Sequence, residues 1–244
     1  MDLDTTLSRH ERIALQFSGG RDSLACLYLL RPHWDRLTVY WCDPGPSFPE
    51  TVALMEQVRE MVPHFARIEG RQPQVIQAYG IPSDIVPASA TPIGRLAGGK
   101  APLMQDRYSC CALSLMVPTH ERMLADGITL IMRGQKAADR LKSPVKSGEV
   151  HDGIEYLFPI QDWDSRQVMA FLKEQGAPIP RFYETLNGAP DCMDCSAWWE
   201  EGAAAYLKVH HPQQYAQNQA RLDVIRESVS EHITAFNQEF GHGI

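Results

Sequence analysis

The sequence has no apolar run approaching the roughly 18 residues that a membrane-spanning helix needs, and no charged-then-apolar leader opens it. A membrane partner is therefore not expected, and the cytoplasm is the expected compartment. Basic residues are not in surplus: 23 Lys and Arg stand against 30 Asp and Glu, a formal net charge of −7. That balance argues against a broad nucleic-acid surface but is compatible with a local basic patch. The GxxxxGK[ST] run of an ordinary P-loop triphosphatase is missing, as are internal repeats and any convincing linker. Cysteine is too scarce for a disulfide framework. Six thiols (Cys26, Cys42, Cys110, Cys111, Cys192 and Cys195) in 244 residues suit metal or redox chemistry instead.

What is present is a globular composition, 44% hydrophobic and 22% charged, in a chain long enough for one large α/β domain and a small appendage. Its organising stretch runs from Ile13 to Phe17, through Ser18, Gly19, Gly20, Arg21, Asp22 and Ser23, and into the apolar Leu24–Leu30. This pattern predicts a buried strand, a glycine turn and a helix. Two glycines let the backbone fold round an anion, to which successive N–H groups and the helix N-terminus offer positive field. Ser18 and Ser23 can add hydroxyls, Arg21 a charge and Asp22 a contact to Mg²⁺. An open α/β sheet holds its ligand at the carboxyl end of such a strand. The alternative is an ordinary strand-to-helix turn.

Further strands are predicted at Leu37–Trp41, His64–Ile68, Ile128–Met132 and Glu155–Ile160, alternating with helices near 49–61, 74–79, 110–124 and 165–175. Asp164 is the expected N-cap of the last of these. The alternation predicts an α/β fold with a doubly wound, mostly parallel five-stranded sheet, followed by a polar helical stretch at 213–240. Positions 81–99, rich in Pro, Ala, Ser and Gly, predict a long loop that is functional or mobile. Between the fourth and fifth strands, Arg133, Lys136, Arg140, Lys142 and Lys146 face a single acid, Asp139. This segment is either a solvated loop or one that faces an anion.

Residues 18–23 resemble the SGGxDS pyrophosphate loop of the PP-loop ATP pyrophosphatase superfamily. Residues 42–51 (CDPGPSFPET) are similar to the DTGxxFPET segment of the PAPS and APS reductases, the sulfonucleotide reductases, with Pro44 in place of the usual Thr. The basic stretch from Arg133 resembles their GxRadESxxR segment, and residues 159–168 their PIxdWtxxdV junction. The resemblance runs in family order from residue 13 to about 175. It implies an adenine nucleotide alpha hydrolase-like fold over residues 1–195, with a helical extension at 196–244. It further implies ATP, APS or PAPS bound by Ser18, Gly19, Gly20, Arg21, Asp22, Ser23, Asp43 and Gly45. Arg133 and Arg140 would then face the phosphate or sulfate end, a task suited to the guanidinium fork.

The pair Cys110-Cys111 and the later Cys192 and Cys195, with positions 112–191 between them, resemble the CC-x80-CxxC signature by which APS reductases and some PAPS reductases hold a [4Fe–4S] cluster. Four thiolates are what such a cluster needs. Zinc is the chemical rival, although adjacent thiolates turn less easily to one small ion than to a wider cluster. Unligated structural thiols are the third alternative. Cys26 is expected in the core. Cys42, at the sheet's carboxyl edge, is either a buried strand-end residue or a further catalytic thiol.

The resemblance breaks at the nucleophile. The reductases attack sulfur with a cysteine in a C-terminal Glu-Cys-Gly-(Ile/Leu)-His tail, whereas no cysteine follows Cys195 here and the chain closes Phe240-Gly-His-Gly-Ile244. The Arg-Lys that follows the family's cysteine pair is replaced by Ser114 and Leu115. The first expected function is therefore ATP-dependent adenylation of a substrate followed by sulfur transfer, with a sulfur donor such as a cysteine desulfurase. A nucleic-acid acceptor is compatible with it, without a strong basic surface to favour one. The second is an APS or PAPS reductase whose thiol is Cys42 or comes from a thioredoxin-like partner. The third is a non-catalytic nucleotide-binding redox module.

Overall fold

The computed structural model describes residues 3–140, 142–186 and 188–241. Leu141 of the basic stretch and the closing His242, Gly243 and Ile244 lie outside the described residues. The described strands are β1 Ile13–Gln16, β2 Leu37–Asp43, β3 His64–Glu69, β4 Ile81–Ser83, β5 Met104–Asp106, β6 Leu130–Met132, β7 Val150–His151 and β8 Ile154–Leu157. Six of them form one sheet in the order β3-β2-β1-β6-β8-β7, parallel except for β7 against β8. The sheet is thus the expected doubly wound one, with a two-residue antiparallel strand added at one edge. No described helix is long and apolar enough to cross a membrane.

Strand β1 is central because its apolar run can be buried on both faces, as parallel strands require. Side chains alternate across the pleat. Ile13 and Leu15 join Val39, Leu130 and Met132 in one core, covered by helices Arg21–Leu29, Pro49–Met61 and Ser165–Glu174. Ala14 faces the other core with Tyr40, Ile131, Tyr156 and Met123. Ile13 pairs in register with Leu37 on one side and Leu130 on the other, so the strand order reverses at β1. This is the switch point at which open α/β sheets leave a crevice.

The chain divides into two compact units. The first comprises the positions up to Asp43, Ser47–Glu69 and Pro118–Glu184, and contains the six-stranded sheet. The second comprises Pro44–Pro46, Gly70–Val117 and the positions from Thr185 on. Within the second unit, β4 pairs in parallel with β5, and Ile225 of the long helix Pro212–Glu239 packs with Ala90 and Met104. The expected loop at 81–99 therefore contains β4 and a short helix, Pro92–Leu96, capped by Thr91 Oγ1 accepting from Gly94 N–H at 3.1 Å. A three-residue strand whose partner lies more than twenty positions away leaves no periodic trace in the sequence.

The helix expected at 110–124 is interrupted. It runs Arg107–Cys111, widens into a π-helical segment at Ala112–Met116, and resumes as Val117–Ala125. The fifth-strand expectation at 155–160 shortens to β8, since Pro159 has no N–H for the ladder. The cap at Asp164 is as expected. Its Oδ1 accepts from Arg166 and Gln167 N–H at 2.8 Å each, and Gln167 Oε1 accepts from Asp164 N–H at 2.7 Å.

Candidate functional site

The first unit carries the glycine loop between β1 and helix Arg21–Leu29. After β1, Gly19 takes φ +81°, the left-handed region that L side chains avoid. A Cβ there would lie 2.9 Å from Met55 Cε. Gly20 is the N-cap of helix Arg21–Leu29 and offers no side-chain cap, so the first helical N–H groups are left to other acceptors. Ser23 Oγ donates to Gly20 O at 2.9 Å, and Ser18 Oγ lies 3.4 Å from Ser23 Oγ. The Arg21 guanidinium lies over the Tyr183 ring, 5.2 Å from its centroid, and reaches Ser165 Oγ at 3.4 Å.

The carboxyl end of β6 closes on this loop. Gly134 fits so tightly that a Cβ would sit 2.5 Å from the Asp22 carbonyl carbon. Lys136, 3% exposed, pairs with Asp22 Oδ2 at 2.6 Å and with Asp139 Oδ1 at 2.8 Å. Asp139 Oδ2 also accepts from Lys136 N–H at 2.8 Å. Asp22 is therefore half-committed: Oδ2 is paired, while Oδ1 is buried with no hydrogen-bond partner among the described residues. Sequence reasoning counted Lys136 only as one of five cations in the segment. Its burial and its two partners depend on chain crossings that no local signal reports.

The two arginines singled out in this segment separate. Arg133 lies over the Tyr156 ring, 5.1 Å from the centroid, and donates to Ser143 Oγ at 3.4 Å. Its Nε is buried without a hydrogen-bond partner among the described residues, and burial lowers its pKa while Tyr156 acts against that shift. Arg140 is exposed. At the end of β2, Asp43 is buried, accepts from Ser47 Oγ at 2.8 Å and pairs with Arg67. Gly45 adopts φ +106° in the turn that follows. Cys42 is half-buried and packs beside the Tyr40 and Ile68 core. Cys26 is fully buried, its Sγ 3.7 Å from Arg133 O.

The second unit brings the four remaining cysteines to one recess. Cys110, Cys111, Cys192 and Cys195 line a space of about 290 Å³ that is partly open to solvent, together with Arg107, Ser114, Leu115 and Trp198. The first pair ends the short helix whose N-cap, Asp106, accepts from Ser109 N–H at 2.9 Å and Ser109 Oγ at 2.6 Å. The π-helical segment begins right after Cys111, the kind of irregularity that recurs at functional sites. It is tied down by Arg71 N–H donating to Ser114 O at 3.0 Å.

The second pair sits on a turn held at several points. Asn218 Nδ2 donates to Cys195 O at 2.6 Å, Gln72 Nε2 to Asp194 Oδ1 at 2.8 Å, and Arg221 pairs with Asp194 Oδ2 at 2.9 Å. Beyond it, Trp198 adopts φ +60°, and Asp84 accepts from Trp198 and Trp199 N–H at 3.0 Å each. Arg107 pairs with Asp84 at 3.1 Å and Glu200 at 3.0 Å while stacking on Trp198 at 3.9 Å.

Burial pushes the Cys111 and Cys195 thiols up to about 12, with neighbouring sulfurs and Asp191 adding to the shift. Cys192 and Cys110 are raised for the same first reason. Four thiols thus share one site of low polarity and, left to themselves, stay protonated. Among the described residues no group of three or more His, Cys, Asp or Glu is gathered to hold a single metal ion. The four sulfurs line the same recess.

The profile of the phosphoadenosine phosphosulfate reductase domain family matches residues 12–197. The adenosine 5'-phosphosulfate reductase of Allochromatium vinosum is 20% identical over 223 residues, covering 82% of this chain and 79% of its own length. The phosphoadenosine 5'-phosphosulfate reductase of Gloeobacter violaceus is 24% identical over 200 residues, covering 79% and 75% respectively. Among solved structures, the phosphoadenylyl-sulfate reductase of Candida auris in its phosphate complex shares the fold, with a TM-score of 0.53 at 15% identity over 75% of this chain and 81% of that one.

Proposed function

This chain belongs to the phosphoadenosine phosphosulfate reductase domain family, and from that premise we propose an ATP-using enzyme that adenylates a substrate oxygen and then exchanges the adenylate for sulfur. The observation that carries the nucleotide half is Arg133, whose buried Nε has no partner among the described residues, in the segment that closes on a helix whose N-cap, Gly20, has no side chain. A buried cationic group is stable only if something pairs with it, and a polyphosphate supplies the missing acceptors.

In this reading the loop's N–H groups hold the β,γ-pyrophosphate, and Asp22 Oδ1 is the oxygen left to bind Mg²⁺. A substrate oxygen attacks the α-phosphorus. The new P–O bond forms as the bond to pyrophosphate breaks, and Arg133 steadies the charge that leaves. Sulfur from a donor then displaces AMP from the substrate. Asp43, Gly45 and Arg140 are proposed as further nucleotide contacts. Cys110, Cys111, Cys192 and Cys195 would hold a [4Fe–4S] cluster, a reading supported by four thiols lining one recess. Bound there, the cluster supplies iron that can take a sulfur ligand or an electron.

Adenylation is preferred to sulfonucleotide reduction because Ser114 and Leu115 line the recess where the reductases carry Arg-Lys, and Arg107 there is already paired with Asp84 and Glu200. The names of the matched relatives favour the second reading, an APS or PAPS reductase using Cys42 or a partner's thiol. The test is anaerobic incubation with ATP, APS or PAPS while following pyrophosphate, AMP and sulfite. Pyrophosphate from ATP supports adenylation; sulfite from APS or PAPS replaces it with reduction.

A further inference from the structure

Tyr183 has no part in the polyphosphate chemistry above, yet it reaches the anion loop. It sits on the short turn Arg181–Glu184, which is anchored by the two residues before the ring. Phe182 is fully buried (0%) and packs edge-on against Phe48 at 6.4 Å. Arg181 pairs with Glu50 at 2.8 Å. From this turn Tyr183 Oη accepts a hydrogen bond from Arg21 N–H at 2.7 Å.

That N–H is the first inside helix Arg21–Leu29, and the N-cap Gly20 has no side chain to take it. The opening N–H groups of a helix lack intrahelical acceptors and are the donors that phosphate uses. The phenolic oxygen therefore stands where a phosphate oxygen would.

We propose that Tyr183 is a displaceable cap on the anion loop. Its hydroxyl satisfies Arg21 N–H while the loop is empty and yields to a phosphate oxygen on binding. This rests on the nucleotide reading of the loop. The exchange favours the anion, because a hydrogen bond to an ionised acceptor is roughly twice as strong as one to a neutral hydroxyl. The cap keeps a part-buried donor paired, and it lowers anion affinity by the worth of one neutral hydrogen bond.

The substitution Tyr183→Phe removes the hydroxyl and keeps the ring under Arg21. Calorimetric titration of the full chain with inorganic pyrophosphate and Mg²⁺ reads the affinity, and thermal melts are recorded with and without saturating pyrophosphate. The variant is expected to bind roughly two- to tenfold more tightly, the worth of one neutral hydrogen bond. It should melt below wild type without ligand and level with it at saturation. Unchanged affinity with both melts lowered alike would make Tyr183 a structural residue and overturn the proposal. Weaker binding would overturn it too, making the hydroxyl a donor to the bound anion. If wild type binds neither pyrophosphate nor ATP, the nucleotide reading itself fails and the cap with it.

Discussion

Replacing Arg133 with Met should separate anion binding from stability. Among the described residues the guanidinium meets Ser143 Oγ at a long 3.4 Å and the face of Tyr156 at 5.1 Å, and its Nε is buried without a hydrogen-bond partner. A buried unsatisfied donor costs about 1–3 kcal/mol. A partly desolvated cation–π contact offsets about 1–2 kcal/mol of this. Methionine keeps an unbranched apolar stem in the same space, so Arg133→Met should shift the unfolding free energy by no more than about 1 kcal/mol, toward greater stability. Binding should move the other way. Charge-assisted hydrogen bonds are worth about 1.5–3 kcal/mol each, so loss of one means roughly ten- to hundredfold weaker affinity. Urea unfolding followed by circular dichroism measures the first effect, and calorimetric titration with ATP, APS and PAPS the second. A variant that loses more than about 2 kcal/mol of stability while binding every nucleotide as wild type does would refute the reasoning and make Arg133 a structural cation.

Lys136→Met should behave in the opposite way, leaving Asp22 and Asp139 without their shared cation. Removing one partner of a buried pair costs about 3–5 kcal/mol; with both carboxylates 30% exposed, about 2 kcal/mol is expected. Adding Asp139→Asn should recover part of it, and strictly additive losses in urea unfolding would show that the pair is not coupled. Gly134→Ala should weaken nucleotide binding at least tenfold, on the order of the energy of one lost hydrogen bond, because its Cβ would press on the Asp22 backbone from 2.5 Å; unchanged affinity by calorimetry would count against the close approach. Anaerobically purified protein should be brown, and Ser at any one of Cys110, Cys111, Cys192 or Cys195 should remove most of the iron while Cys26→Ser does not. Colourless protein with stoichiometric zinc would end the cluster proposal. Finally, the Ser109 hydroxyl and backbone N–H groups hold the Asp106 carboxyl below its ordinary 3.8. A depressed folded-state pKa contributes stability above the unfolded value and loses it as pH falls. Asp106→Ala should therefore cost about 1 kcal/mol at pH 7 and flatten the acid limb of the unfolding curve below about pH 4; an identical acid limb would refute the cap's role.

The backbone of the glycine loop was legible in the sequence because its signals are local. An apolar run, two glycines and an apolar helix adjoin one another, and the expected strand, turn and helix form there, with Gly19 at a positive φ of +81°. The Asp164 cap was legible for the same reason, since cap and helix lie within four residues. The cysteine spacing likewise named four residues that line one recess. Other features were decided by tertiary structure. Arg133 and Arg140 look alike in a basic run, yet only burial beside Tyr156 leaves one with an orphaned nitrogen. Lys136 acquires its meaning from Asp22, and Tyr183 from Arg21, partners more than a hundred positions away in the chain. Local propensity reports only neighbours within a turn or two. Which donors, charges and strand ends meet is decided where β1 and β6 lie side by side.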